Sequence, residues 1–130
     1  MLNTSKDKKE LKKFDIDLEF GKQWEEYIDN LFKGMYTCEV KTERDKWAQT
    51  GNICIEVESY GKPSGINATT SDIWVQNLVK DNKLVASIVI PTDVLRELVQ
   101  KVRTKVVYGG DNRASKLLLF KLEDLIEGLR

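Results

Sequence analysis

Residues 35–43, MYTCEVKTE, and residues 53–59, ICIEVES, carry the reading of the fold. Each alternates with a period of two, which is the period of a strand. In the first run Cys38, Val40 and Thr42 share one face, and Thr37, Glu39, Lys41 and Glu43 the other. In the second, Ile53, Ile55 and Val57 are set against Cys54, Glu56 and Glu58. If the two strands pair antiparallel with their apolar faces together, several carboxylates and one lysine converge. Carboxylates that close repel one another unless a cation lies between them. Oxygen ligands of this kind suit Mg²⁺ or Mn²⁺, and a lysine beside the metal stabilises charge on a phosphate. The plain alternative is a solvated sheet face whose charges pair across strands.

Outward from these runs, the chain reads as alternating elements. Phe20, Trp24, Tyr27, Ile28, Leu31 and Phe32 recur at helical spacing, with Gly34 as the stop, and the aromatics among them are expected in the core. Residues 44–52 read as a polar connection, and residues 60–65, YGKPSG, as a turn. Ile73–Val79 and Leu84–Ile90 read as strands that pair across the turn at residues 80–83. Pro91 ends the second, and Thr92 or Asp93 is placed to cap a helix with Val94, Leu95, Leu98, Val99 and Val102 on its apolar face. Short strands at 106–108 and 117–120 and a terminal helix at 122–129 complete the order. The expected class is α/β or α+β, with a central mixed sheet flanked by helices.

Composition limits the chemistry. The 130 residues suit one domain, taken as residues 14–130, preceded by a basic arm over 1–13 that holds Lys6, Lys8, Lys9, Lys12 and Lys13. There is no histidine, so no Ser-His-Asp triad or Cys-His pair is available. The two cysteines, Cys38 and Cys54, lack metal-ligand spacing and read as reduced core thiols. No apolar run approaches the roughly 20 residues of a membrane span, and the polar N-terminus does not read as a secretory signal; a cytoplasmic protein with no membrane partner is expected. The 21 basic and 21 acidic side chains cancel, so net charge does not announce nucleic acid.

Glu39-Val40-Lys41 is a (D/E)-X-K tripeptide on an expected strand after a Glu-bearing helix. The extended run EVKTERDKWAQTGNICIEVESYGKPSGINATTSDIW resembles small phage and prokaryotic members of the PD-(D/E)XK nuclease superfamily. Those tend to read EVKtDr, then tGNixiEyEsxGkpSGixxTxAD. The likeness covers about residues 20–74, with a weaker echo at Gly109-Gly110-Asp111. It implies a restriction-endonuclease-like core and a metal-dependent deoxyribonuclease, an endonuclease acting on DNA, branched DNA included, and expected to dimerise. It makes Glu39 a metal ligand, Lys41 the catalytic lysine and Glu25 the helical carboxylate that helps hold the metal or its water. Glu56 and Glu43 are further ligands, and Arg44, Lys46, Lys62 and Ser64 border the substrate.

One departure matters. The superfamily carries an Asp on the strand before the tripeptide, and none lies between Phe32 and Cys38. Glu56 or Glu43 can substitute. Alternatively Glu39 plays that Asp, with Glu56-Val57-Glu58 as an E-X-E form of the motif. A site that binds nucleic acid without cutting is a third reading, and a structural homo-oligomer a fourth. Asp15 or Asp17 would require a different topology.

Overall fold

The computed structural model describes residues 19–28, 30, 32 and 36–129. The basic arm, Asp15, Asp17, Leu31, Gly34 and Met35 lie outside the described residues. Helix α1 occupies residues 19–28. The elements that follow are β1 (Cys38–Arg44), α2 (Lys46–Thr50), β2 (Asn52–Ser59), β3 (Lys62–Pro63), β4 (Ile73–Lys80), β5 (Lys83–Pro91), α3 (Thr92–Lys101), β6 (Lys105–Gly109), β7 (Ser115–Lys121) and α4 (Leu122–Gly128).

The fold is mixed α+β, as its alternating patterns predict, but the strands divide between two sheets. One is mixed, in the order β1-β4-β5; the other is antiparallel, in the order β3-β2-β7-β6. The expected antiparallel pairing of residues 35–43 with 53–59 does not form. β1 pairs parallel with β4, Lys41 opposite Gln76, and β2 pairs with β7, Glu56 opposite Leu117. A parallel pair needs a long crossover, and here that crossover contains α2, β2 and β3. Thr37 and Asp72 tie together the starts of β1 and β4: the Thr37 hydroxyl donates to the Asp72 carboxylate at 3.0 Å and accepts the Asp72 N–H at 2.9 Å.

β4 explains the architecture best. Residues 74–79 are all buried, because each face of the strand meets a separate apolar cluster. Trp74 and Leu78 join Ile53, Ile55, Phe120 and Leu125 in the larger one. Val75 joins Ile28 and Val40 in the smaller, beneath α1. The β4–β5 hairpin closes as expected, through Asp81 and Asn82 at φ 51° and 62°. Two consecutive left-handed residues match the twist of paired strands. Tyr60 and Gly61 do the same between β2 and β3.

Several local expectations are corrected. Residues 46–50 form a short helix within the supposed polar connection. It is held by the Trp47 indole N–H, which donates to the Val79 carbonyl at 2.8 Å. Pro91, not Thr92 or Asp93, precedes the first turn of α3, and no side chain caps it. Leu95, Leu98 and Val99 are buried as expected, whereas Val94 is exposed. Tyr27 is exposed and Trp24 only half-buried, so neither is a core residue. Phe32 does pack on the smaller cluster.

β2 carries a bulge: the register with β7 shifts between Glu56 and Glu58. Val57 is left to offer its carbonyl to the Ser64 N–H at 3.0 Å. The 65–67 turn is thereby laid directly on Glu56. A Cβ on Gly65 would sit 2.2 Å from the Glu56 carbonyl oxygen, at φ +53°. Gly61 also has positive φ, but open space surrounds it. Gly65→Ala is therefore expected to cost at least about 3 kcal/mol, because backbone must move. Gly61→Ala should cost only about 1–2 kcal/mol, from its φ alone. Urea unfolding of the two variants measures the difference; equal losses would contradict the close approach at Glu56.

Candidate functional site

The site begins with strand alternation. Val40 packs toward α1, so Lys41 and Glu43 leave the opposite face of β1. That face of the sheet also carries Trp74, Gln76 and Leu78 of β4, with Lys41 in register with Gln76. Here β1 meets the side of β2. At Cys54 one flank of β2 is taken by β7, and the backbone N–H on that residue goes instead to Glu43 Oε1 at 2.7 Å. The Gln76 amide donates to the same oxygen at 3.2 Å. Gln76 in turn accepts the Trp74 indole N–H at 2.9 Å. A buried polar chain thus runs from the core to one carboxylate oxygen. Oε2 of Glu43 has no hydrogen-bond partner among the described residues.

Around Glu43 lies a hollow of about 270 Å³, lined by Lys41, Glu43, Glu56 and Gln76, with Cys54 and Leu117. The structure therefore brings together three of the residues singled out in the sequence: Lys41, Glu43 and Glu56. It adds Gln76, which strand alternation alone did not mark as functional. An amide directly after Ile73, Trp74 and Val75, in a largely apolar strand run, was the available signal.

The other candidates lie elsewhere. Glu39 shares the face of Lys41 but does not line the hollow; it is four residues from Glu43, about 13 Å along an extended strand. Glu25 lines a hollow on the α1 side of β1, together with Lys41 and Arg44. The Arg44 guanidinium there stands 4.7 Å over the Phe20 ring. Lys46 lines a third hollow, of about 290 Å³, which shares Glu43 and Cys54 with the first. Lys62 is exposed on β3, and the Ser64 hydroxyl is buried without a partner among the described residues; neither lines the hollow around Glu43. Glu58 is removed by the bulge. Glu56 pairs with Leu117 and Glu58 with Lys116, adjacent β7 residues that point to opposite faces. The E-X-E form of the motif is thus broken as a constellation.

Among the described residues, no group of three or more Asp, Glu, Cys or His side chains is gathered to hold a metal. Glu43 and Glu56 supply two carboxylates. Mg²⁺ is commonly held by one or two, with water and substrate phosphate completing its octahedron. The donor set therefore suits a hard cation that binds with its substrate and does not suit a closed structural site. No helix among the described residues is long and apolar enough to cross a membrane. Comparison of the chain with family models, curated proteins and solved structures returns no match.

Burial raises the Glu43 carboxyl above its ordinary 4.5, and the bonds from the Cys54 N–H and Gln76 only partly offset this. Burial, and then the Glu43 charge, raise the Cys54 thiol as well, with Lys46 opposing. An acid with a raised folded pKa gives stability that is fully present below its unfolded value and is lost as pH rises through the folded value. Glu43→Gln, always neutral and still able to accept the Cys54 N–H, has no such loss. In metal-free buffer, Glu43→Gln should gain stability relative to the unaltered protein as pH climbs from about 4.5 toward neutrality. Thermal melts across that window measure it, and parallel pH profiles would contradict the burial of this carboxylate.

Proposed function

We propose that this protein is a Mg²⁺- or Mn²⁺-dependent nuclease acting on DNA, a PD-(D/E)XK-like enzyme whose working groups are Glu43, Glu56 and Lys41. The observation that carries the reading is the shared hollow: two carboxylates from different strands and one lysine, with one Glu43 oxygen taken by the Cys54 N–H and Gln76 and the other without a hydrogen-bond partner among the described residues. Glu43 and Glu56 hold the cation, and Lys41 lies two residues from Glu43 on the same face. A cation held by these two carboxylates would supply Lewis acidity at the phosphate. The chain itself orients Glu43 through the Cys54 N–H and Gln76, and Lys41 stabilises charge that develops on a non-bridging phosphate oxygen. In the net reaction water adds to phosphorus, the bond from phosphorus to one ester oxygen breaks, and that oxygen leaves with a proton.

Glu43 takes the role of the Asp that the tripeptide lacks upstream, and Glu56 is the second ligand. Glu39 and Glu25 are assigned no contact with the cation, since they lie outside the hollow. Glu25 and Arg44, on the far side of β1, are placed to meet the substrate where it crosses the strand edge at Lys41.

Incubation of plasmid, single-stranded and branched DNA with Mn²⁺ tests the reading. Lys41→Ala and Glu56→Gln should each lower the cleavage rate by at least about 100-fold, as loss of an electrostatic contact to a transition state does. Glu39→Gln should change it by less than about tenfold. Cleavage equally impaired at Glu39 would move the site along β1. Salt-sensitive binding without cleavage by the unaltered protein would replace this reading with a nucleic-acid-binding function.

A further inference from the structure

The hollow that holds Lys46 is not used by the chemistry just described. Trp47 of α2 and Val107 and Leu119 of the second sheet line it, with Lys46, Thr50 and Asn52. The Trp47 ring is held by its bond to Val79 and by packing on the larger core cluster. The Thr50 hydroxyl is engaged with the Lys46 carbonyl and the Asn52 N–H. The lining thus combines a fixed tryptophan and two branched aliphatic residues with a lysine and an asparagine. Its volume of about 290 Å³ falls just under the roughly 300–1,000 Å³ usual for drug-sized ligands, which limits it to a small group such as one planar ring system.

Its position is the second observation. Glu43 and Cys54 line both this hollow and the one containing Lys41 and Glu56. The two hollows therefore adjoin at Glu43 and Cys54. A base within a duplex cannot enter such a space while stacked and paired, but an unpaired base can.

Resting on the nuclease reading, we infer that the Trp47–Val107–Leu119 hollow receives one unpaired nucleobase adjoining the phosphate at Glu43. The preferred substrate is then a single-stranded or branched nucleic acid. The indole and aliphatic walls take the faces of the base, a sequence-tolerant mode of recognition. The Asn52 carboxamide offers a donor and an acceptor to its edge, and Lys46 meets the neighbouring phosphate.

Cys54 provides the readout, because it lines both hollows, whereas Cys38 packs toward α1. The full chain is alkylated with iodoacetamide at one fixed pH in Mg²⁺, with dAMP, dCMP, dGMP or dTMP, or with 2-deoxyribose 5-phosphate as the base-free control. Mononucleotides should protect Cys54 at concentrations about tenfold lower than the sugar phosphate, the gain expected of one stacked base. Cys38 should be alkylated at an unchanged rate. Val107→Trp, which fills the hollow, should remove the advantage of the base while leaving protection by the sugar phosphate. Equal protection by nucleotide and sugar phosphate, or none by either, overturns the inference. So does an undiminished base advantage in folded Val107→Trp. Should that variant not fold, the comparison on the unaltered chain decides alone. The two readings fail separately: absence of DNA cleavage with a clear base advantage removes the nuclease and keeps the base site, and cleavage without a base advantage does the reverse.

Discussion

The bond from the Cys54 backbone N–H to Glu43 joins two sheets that have no strand pairing between them. β1 ends one sheet, and β2 is paired on one side by β7 along its length and on the other only at its far end, by β3. A backbone donor left unpaired in a partly buried place is costly. A carboxylate reaching from β1 satisfies it at short distance. The same carboxylate then bears a desolvation cost, visible in its raised proton affinity. Gln76 relieves some of that cost, and Trp74 anchors Gln76, so the arrangement reaches back into the core. One oxygen of Glu43 is therefore structural. Glu43 also lines a hollow with a second carboxylate, Glu56, where a cation would offset the remaining penalty.

The bulge at Val57 is the second constraint on this region. It ends the regular alternation of β2, turns Glu58 away from Glu56, and gives the 65–67 turn a carbonyl to dock on. Gly65 then presses on the backbone of Glu56. The position of the Glu56 backbone is set by contact from the turn on one side and by β7 on the other. Bulges recur beside functional sites because they re-aim a side chain in this way.

What could be read in the chain was local. Period-two patterns marked most of the strands, Asp81-Asn82 marked a hairpin, and the spacing of Leu95, Leu98 and Val99 marked the buried stripe of α3. What could not be read was non-local. Nothing in residues 35–43 distinguishes a parallel partner at 73–79 from an antiparallel one at 53–59, since either buries the same face. The observed crossover contains α2, only five residues long and held by the bond from the Trp47 indole to Val79, which no local pattern announces. The candidate site followed the same rule. Lys41 and Glu43 were visible as neighbours on one strand face. The partnership of Glu43 with Gln76, and the exclusion of Glu39 and Glu58, depended on pairing and on a bulge that leave no mark in composition or period.

The order of residues on β1 bears on how the proposed chemistry relates to the tripeptide that first suggested it. In a (D/E)-X-K strand the carboxylate precedes the amine by two residues, which places both on one face about 7 Å apart along the backbone. Lys41-Thr42-Glu43 has the same face and spacing in reverse order. A lysine ammonium on four methylenes reaches either way along a strand, so the spacing, not the direction, governs whether amine and carboxylate can share a phosphate. The Glu39-Val40-Lys41 tripeptide and the Lys41-Thr42-Glu43 tripeptide are thus chemically equivalent as sequence. Only the position of β2, which brings Glu56 and the Cys54 N–H to Glu43 and not to Glu39, separates them.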